Sequence, residues 1–288
     1  MTSIQDNRIF IETVIADFIH TSLLNRMPDD AAQTIFDAPL VGCADADDVI
    51  FSQYKTVIGP DHMTPREAFA QAFGKKPEEL PARLFVVSWI LPVTAATRKS
   101  NRIEKSQPSR LWAFTRWYGE QFNDALRKHV VQTVTDRGYH AAAPVLQPFF
   151  RQLRKENGPY SNWSERHAAY AAGLGTFSLS DGFITEKGIA HRCGSVVTDM
   201  ELRPDLRTAN TAFSNCLFYY DASCKACIAR CPAGAISEVG HDKNKCSEYV
   251  RTQLAKQRED LKIGNGGCGL CQVKVPCEFK NPARGKRK

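Results

Sequence analysis

The chain has 288 residues and a mass of 32.2 kDa, enough for one good-sized core and a small satellite domain. Hydrophobic residues make up 43% and charged residues 24%, an ordinary globular mixture. The longest apolar run, residues 84–91, is far too short for a membrane span, which argues against a membrane partner. The net charge of +7 and pI of 8.9 come partly from the tail Lys280…Arg284-Gly-Lys-Arg-Lys288. We read that tail as a solvated end rather than a binding arm, so the charge makes no case for nucleic acid.

In chain order, Ile4, Ile11, Val14, Ile15, Phe18, Ile19 and Leu23 recur near a 3.6-residue period and predict an amphipathic helix over 4–25. Met27-Pro-Asp-Asp30 ends it. Residues 38–44 predict a short strand, with Cys43 as a small buried apolar side chain. Thr64-Pro-Arg-Glu67 has the cap, proline and acid of a helix start. Residues 84–91 read as a central strand covered on both faces. Residues 97–108 read as a polar loop bearing Arg98, Lys99, Arg102 and Lys105. A long helix is predicted over 111–134, burying Trp112, Trp117, Phe122, Leu126, Val130 and Val134. Residues 139–146 predict another strand, and 149–162 an aromatic, basic connection. Residues 164–173 predict a helix capped by Ser164 and stopped by Gly173. Residues 182–185 and 193–198 suggest a hairpin-like pair. Alternating strands and helices predict an α/β or α+β sandwich, with a boundary at Arg203-Pro-Asp205.

The last quarter carries eight of the ten cysteines. Cys224-Lys-Ala-Cys227-Ile-Ala-Arg-Cys231-Pro232 is a ferredoxin-type C-x2-C-x3-C-P run, followed by Cys246, Cys268, Cys271 and Cys277. Such spacing lets successive thiolates converge on one cubane, while the proline sends the last cysteine toward a neighbouring cluster. Eight thiolates suit two [4Fe-4S] clusters, four each. Two zinc sites are the rival reading, but zinc does not require the third cysteine and proline. The usual first cysteine is replaced at its position by Asp221. Cys216, eight residues before Cys224, can supply that thiolate; Asp221 as an oxygen ligand is the alternative. The predicted sorting is crossed: Cys216, Cys224 and Cys227 with Cys277, and Cys231 with Cys246, Cys268 and Cys271. The N-terminal Met1-Thr-Ser-Ile-Gln-Asp-Asn reads as carrying no signal peptide, so a reduced cytoplasm is expected.

Over roughly residues 80–280 the chain resembles the superfamily of epoxyqueuosine reductases and reductive dehalogenases. Besides the cysteines, Ser109–Gly119, Ala143-Pro-Val-Leu146, Ala171-Ala-Gly-Leu-Gly175 and Gly194-Ser-Val-Val-Thr198 carry the resemblance. It implies a nitroreductase-like core over residues 1–205 holding a corrinoid or substrate, then a ferredoxin-like two-cluster domain over 206–288. It also implies a redox centre fed by the clusters, with cobalamin as a possible cofactor under the Gly173-Leu174-Gly175 turn. The family's proton-donating aspartate is Ala141 here, and its histidine after Arg-Asp-Tyr is Gly119. The family's tRNA-contacting repeat domain and the dehalogenases' twin-arginine signal have no counterpart in the sequence. The chain is therefore expected to be neither a tRNA-modifying nor an exported enzyme.

Candidate catalytic residues must be titratable and near the pocket. They are Tyr160, Arg166 and His167, just before the glycine turn, and Tyr118 from the long helix, with Asp199 and His191 as further candidates. Candidate cofactor contacts are Arg116, Gly173, Leu174 and Gly175. The plainer reading makes the tyrosines core or rim residues and the glycines a helix cap and turn. Position 178 is Ser, so no G-x-G-x-x-G nucleotide fingerprint is completed. The expected function is an iron–sulfur oxidoreductase that takes electrons from a donor such as a ferredoxin or flavodoxin to reduce a small-molecule substrate. The alternative is an electron-transfer or activating partner without its own substrate chemistry. An RNA-binding role resting on the basic charge ranks below both.

Overall fold

Ser3 opens the first helix: its hydroxyl accepts from the Asp6 N–H, and the Asp6 carboxylate accepts from the Ser3 N–H. The computed structural model describes residues 3–264 and 266–286. Met1 and Thr2 of the N-terminal segment, and Arg287 and Lys288 of the basic tail, lie outside them.

The elements run α1 (Ile4–Thr21), β1 (Arg26–Met27), β2 (Asp30–Thr34), β3 (Leu40–Asp45), α2 (Ile50–Val57), α3 (Pro65–Phe73), β4 (Phe85–Pro92), α4 (Ala95–Arg102) and α5 (Arg110–Asp136). Then follow β5 (Ala141–Ala142), β6 (Gln152–Lys155), β7 (Gly158–Ser161), α6 (Glu165–Ala171), β8 (Gly175–Phe177), β9 (Phe183–Thr185) and β10 (His191–Thr198). The sulfur-bearing segment adds α7 (Leu217–Asp221), α8 (Ala226–Ala229), β11 (Ile236–Ser237), β12 (Gly240–His241), α9 (Lys243–Thr252) and α10 (Ala255–Asp260).

The central sheet is mixed in sequence order, β3-β4-β10-β5, with every pairing antiparallel. Strand β4 is buried along its whole length. Phe85, Val87, Trp89 and Leu91 point into one apolar layer with α1 and α5, while Val86 points into the other with α2, α3 and α6. Ile11, Ile15 and Ile19 of α1, four residues apart, meet Phe122, Leu126 and Val130 of α5 in the first layer. A helix layer on each face of a sheet is the mixed α/β architecture that strand and helix alternation predicts.

Three local expectations change. Residues 139–146 hold only the two-residue β5, because Pro144 has no N–H for a ladder and a 3-10 turn follows. Strand β10 pairs with β4 and β5, not with residues 182–185, which pair instead with β8. The polar stretch after residue 97 is helical through Arg102 as part of α4.

Strand β5 covers β10 only at Val197 and Thr198. Beyond it the first half of β10 keeps an edge that side chains must satisfy. The Cys193 carbonyl accepts from Asn123 Nδ2 at 2.9 Å and Arg127 Nη2 at 3.3 Å. There, side chains of α5 and α6 meet around the sheet margin. The C-terminal segment is stitched beside this margin. Phe177 N–H donates to the Ala212 carbonyl at 2.7 Å, Asn215 Nδ2 to the Ile184 carbonyl at 2.8 Å, and Ile189 N–H to the Cys277 carbonyl at 2.8 Å.

Candidate functional site

Cys216 N-caps α7, and Cys224 and Cys227 flank the start of α8, so two short helices present three thiols to one side. The turn from Val275 brings in Cys277. Together Cys216, Cys224, Cys227 and Cys277 line one pocket. Ile184, Ile189 and Val275 complete an apolar wall around the four sulfurs. Asp221 does not line it. Its carboxylate accepts from Lys286 Nζ at 3.1 Å and from the Ser223 hydroxyl, and these bonds hold it below the usual carboxylate range.

The other four thiols form a second group. Burial raises Cys271 well above an ordinary thiol, and the neighbouring Cys268, Cys246 and Cys231 add to the shift. Cys268 is pushed up to about 11 by burial, with Cys246 and Cys231 beside it. Ala235 N–H donates to Cys231 Sγ at 3.3 Å. Cys227 is raised to about 11 by burial, with Cys216 and Cys224 adding to the shift. Among the described residues, no three His, Cys, Asp or Glu side chains converge to hold a single metal ion.

The loop carrying Cys268 lies along the first turns of α5. A Cβ on Gly264 would meet the Trp117 ring at 2.6 Å, and one on Gly267 would meet Arg116 Nε at 3.0 Å. Gly269, at φ +59°, has Trp112 packed where a side chain would stand. Arg116 therefore sits beside the second thiol group.

The remaining candidates scatter. Tyr160 donates its hydroxyl to Asp61 Oδ2 at 2.9 Å and packs on Gly59. Tyr118 packs edge-on against Phe114 in the main core. His167 is wedged between Tyr54 and Phe177, its Nδ1 2.8 Å from the Ser164 hydroxyl, and burial pushes it down to about 3. A Cβ on Gly173, at φ +71°, would meet the Leu206 carbonyl oxygen at 2.8 Å, and one on Gly175 would run into the Ile184 backbone. Leu174 packs over Gly42. Asp199 accepts from the His140 N–H at 2.7 Å, on the far end of β10.

Arg166 lies in the first turn of α6, and His191 opens β10. Arg166 bonds the Asp181 carbonyl, and its charge is felt by Arg116, His191 and Cys193. His191 Nε2 lies 2.7 Å from the Phe183 carbonyl, so it carries the proton and leaves Nδ1 as an acceptor 3.6 Å from Cys193 Sγ. Burial pushes Cys193 up to about 12 and His191 down to about 4, so the pair is a neutral thiol beside a neutral imidazole. Yet a third of Arg116 remains accessible, and His191 and Cys193 are only partly covered. Cys193 escaped sequence reasoning; its signal was the His-x-Cys alternation, which puts both side chains on one face of a strand.

With this geometry in hand, the molecule can be set beside known proteins. The sequence matches no protein-family model and no curated protein. Its structure is similar to a selenomethionine-labelled epoxyqueuosine reductase, with a TM-score of 0.52 and 16% identity over 94% of this chain and 66% of that one. It is similar also to a catabolic reductive dehalogenase, with a TM-score of 0.52 and 17% identity over 86% of this chain and 31% of that one. A reductive dehalogenase of B12-dependent dehalogenation gives a TM-score of 0.51 and 16% identity over the same shares. The chain therefore has the mixed α/β fold of the epoxyqueuosine reductases and reductive dehalogenases. It spans just under two thirds of the first and under a third of the dehalogenases. Among the described residues, no helix is long and apolar enough to cross a membrane.

Proposed function

We propose that this chain is an iron–sulfur oxidoreductase that carries electrons through two [4Fe-4S] clusters to a redox centre that reduces a small-molecule substrate. The observation that carries this reading is the four-thiol cavity of Cys216, Cys224, Cys227 and Cys277. Four thiols lining one pocket, with no three of the described ligand side chains converging on a point, suit a cubane, whose irons sit at separate corners, better than one ion. Cys231, Cys246, Cys268 and Cys271 would hold the second cluster. When bound, the clusters supply electrons singly at potentials set by burial and by hydrogen bonds to sulfur.

The chain's own residues supply the rest. Ile184, Ile189 and Val275 exclude water from the first site. The Ala235 N–H stabilises negative charge on Cys231 Sγ. Residues 1–205 would form the nitroreductase-like core and 206–288 the ferredoxin-like unit. Trp112, Arg116 and Trp117 press that core against the Cys268 loop. The thiols suit a reducing compartment such as the cytoplasm, and a ferredoxin or flavodoxin is a fitting electron donor. Of the sequence candidates, Arg116 is the one that packs against the Cys268 loop.

A corrinoid is a separate question. Gly173 and Gly175, which would approach it, are packed against the chain's own Leu206 and Ile184 backbone, and Ala141 replaces the family aspartate. That turn does not fit the group. The same two observations favour a second reading, an electron-transfer partner that passes electrons to another protein.

Absorption and electron paramagnetic resonance of anaerobic protein, with and without added cobalamin, test the proposal. Two reducible cluster signals with no corrinoid uptake are expected. A protein without thiolate-bound iron absorption contradicts the reading, and tight cobalamin uptake contradicts the account of the glycine turn.

A further inference from the structure

The two thiol groups stand in different electrostatic surroundings. Among the described residues no cation lines the first pocket. Lys225, next to Cys224, is paired with Glu238 at 2.5 Å, and Lys286 of the tail with Asp221 at 3.1 Å. The second group has a cation of another kind. Arg230 ends α8 immediately before Cys231. It donates Nη1–H to the Glu104 carbonyl at 2.9 Å, Nε–H to the Leu270 carbonyl at 3.2 Å and Nη2–H to the Asn101 carbonyl at 3.3 Å. Leu270 is buried in the 3-10 turn between Cys268 and Cys271. Asn101, buried too, donates its own Nδ2–H to the Cys268 carbonyl at 3.4 Å. Three carbonyl oxygens orient a guanidinium without neutralising it, and arginine keeps its proton at any working pH. Among the described residues no carboxylate pairs with Arg230. A half-buried charge held this way calls for an anion. The thiols on either side of it, Cys231 in the chain and Cys268 and Cys271 around Leu270, supply one once they hold iron. Burial raises Cys268, and the Arg230 charge opposes that rise.

We propose that Arg230 lifts the reduction potential of the second site above that of the first, so that electrons entering at Cys216, Cys224, Cys227 and Cys277 collect at Cys231, Cys246, Cys268 and Cys271. An added electron makes a thiolate-bound cubane more negative, and a fixed cation beside it favours the more negative form. The step moves one electron. The first site is oxidised by one and the second reduced by one, with no bond made or broken and no proton moved. The receiving end faces the core, because Gly264, Gly267 and Gly269 let that loop lie against Trp117, Arg116 and Trp112 of α5. The direction of flow rests on the two-cluster reading. The placement of the charge does not.

Anaerobic holoprotein, titrated with dithionite in the presence of mediators and followed by electron paramagnetic resonance, tests this. The signal lost or altered in Cys216→Ser marks the first site. In unmodified protein the other signal should titrate at the higher potential. In Arg230→Gln that signal alone should become harder to reduce, by about tenfold in the one-electron equilibrium or about 59 mV, at unchanged iron content. Arg230→Lys, which keeps a charge there, should recover most of the shift. Lys225→Gln removes an exposed charge that already has its own acid, and should leave both potentials in place. An unmoved second signal in Arg230→Gln overturns the proposal. So does a second site below the first in unmodified protein, a result that decides the matter even where glutamine costs the variant its second cluster. Unmodified protein without iron would defeat the two-cluster reading instead.

Discussion

Arg102 Nε lies 2.9 and 2.8 Å from the two carboxylate oxygens of Glu278, joining α4 of the core to the residue that follows Cys277. Glu278 is 1% exposed and also faces Arg98 Nε at 3.5 Å and accepts from the Lys274 N–H at 2.7 Å. A buried acid with two cations and a backbone donor is a fixed joint between the sulfur-bearing segment and the sheet layers.

Removing that acid leaves two guanidiniums facing a space with no counter-charge. Breaking a buried pair typically costs about 3–5 kcal/mol, so Glu278→Ala should lose stability of that order in chemical denaturation. Iron content should fall as well, because the Cys277 turn loses its anchor. A loss below about 1 kcal/mol would mean that the joint is ornamental.

Gly269 sets the Cys268–Cys271 turn in a left-handed conformation with Trp112 where a Cβ would be. Gly269→Ala pays both backbone strain, about 1–3 kcal/mol, and displacement of the indole. The variant should retain the first cluster and lose the second, read as halved iron per chain. Full iron would show that the turn tolerates the shift.

Cys216 and Asp221 compete in the sequence for one ligand position, and only Cys216 lines the cavity. Cys216→Ser should lose the first cluster, while Asp221→Asn should keep wild-type iron. Cys43→Ala should keep it too, since that thiol is fully buried beside Arg8 and pushed up to about 12 by burial. The reverse ranking, with Asp221→Asn losing iron, would reassign the ligand.

His62 is 2% exposed, stacked on Trp163, and has neither ring nitrogen hydrogen-bonded in the structure. Burial, with Lys55 adding to it, pushes its pKa from 6.5 to about 4. The unfolded chain therefore takes the proton first as pH falls. This contribution to stability is full above pH 6.5 and is lost between pH 6.5 and about 4, by about 3 kcal/mol in all. His62→Phe, which can keep the stack, should flatten that limb of the stability profile. Parallel profiles for the two proteins would show that His62 is already charged in the fold.

Much of this fold is legible where one side of an element meets one core. The isoleucine spacing of α1, the Thr64–Glu67 cap of α3, the continuous apolar β4 and the long α5 all emerge within a residue or a few of their expected limits. What escapes depends on partners distant in sequence. Helix α4 is very polar, and Arg98 and Arg102 look solvated until Glu278, about 180 residues later, is placed against them. The β6–β7 hairpin has a largely exposed β6 and a β7 with no alternating burial, so it shows no pattern to read. Arg166 was legible as a candidate, but Cys193 was not, because its setting comes from the His191 ring 3.6 Å away and the burial around both.

The central claim is that eight thiols hold two cubanes. Protein purified without oxygen and assayed for iron, acid-labile sulfide and zinc tests it most directly. The account predicts about eight irons and eight sulfides per chain, with zinc near zero. Zinc in place of iron, or iron far below that figure in well-folded protein, contradicts it.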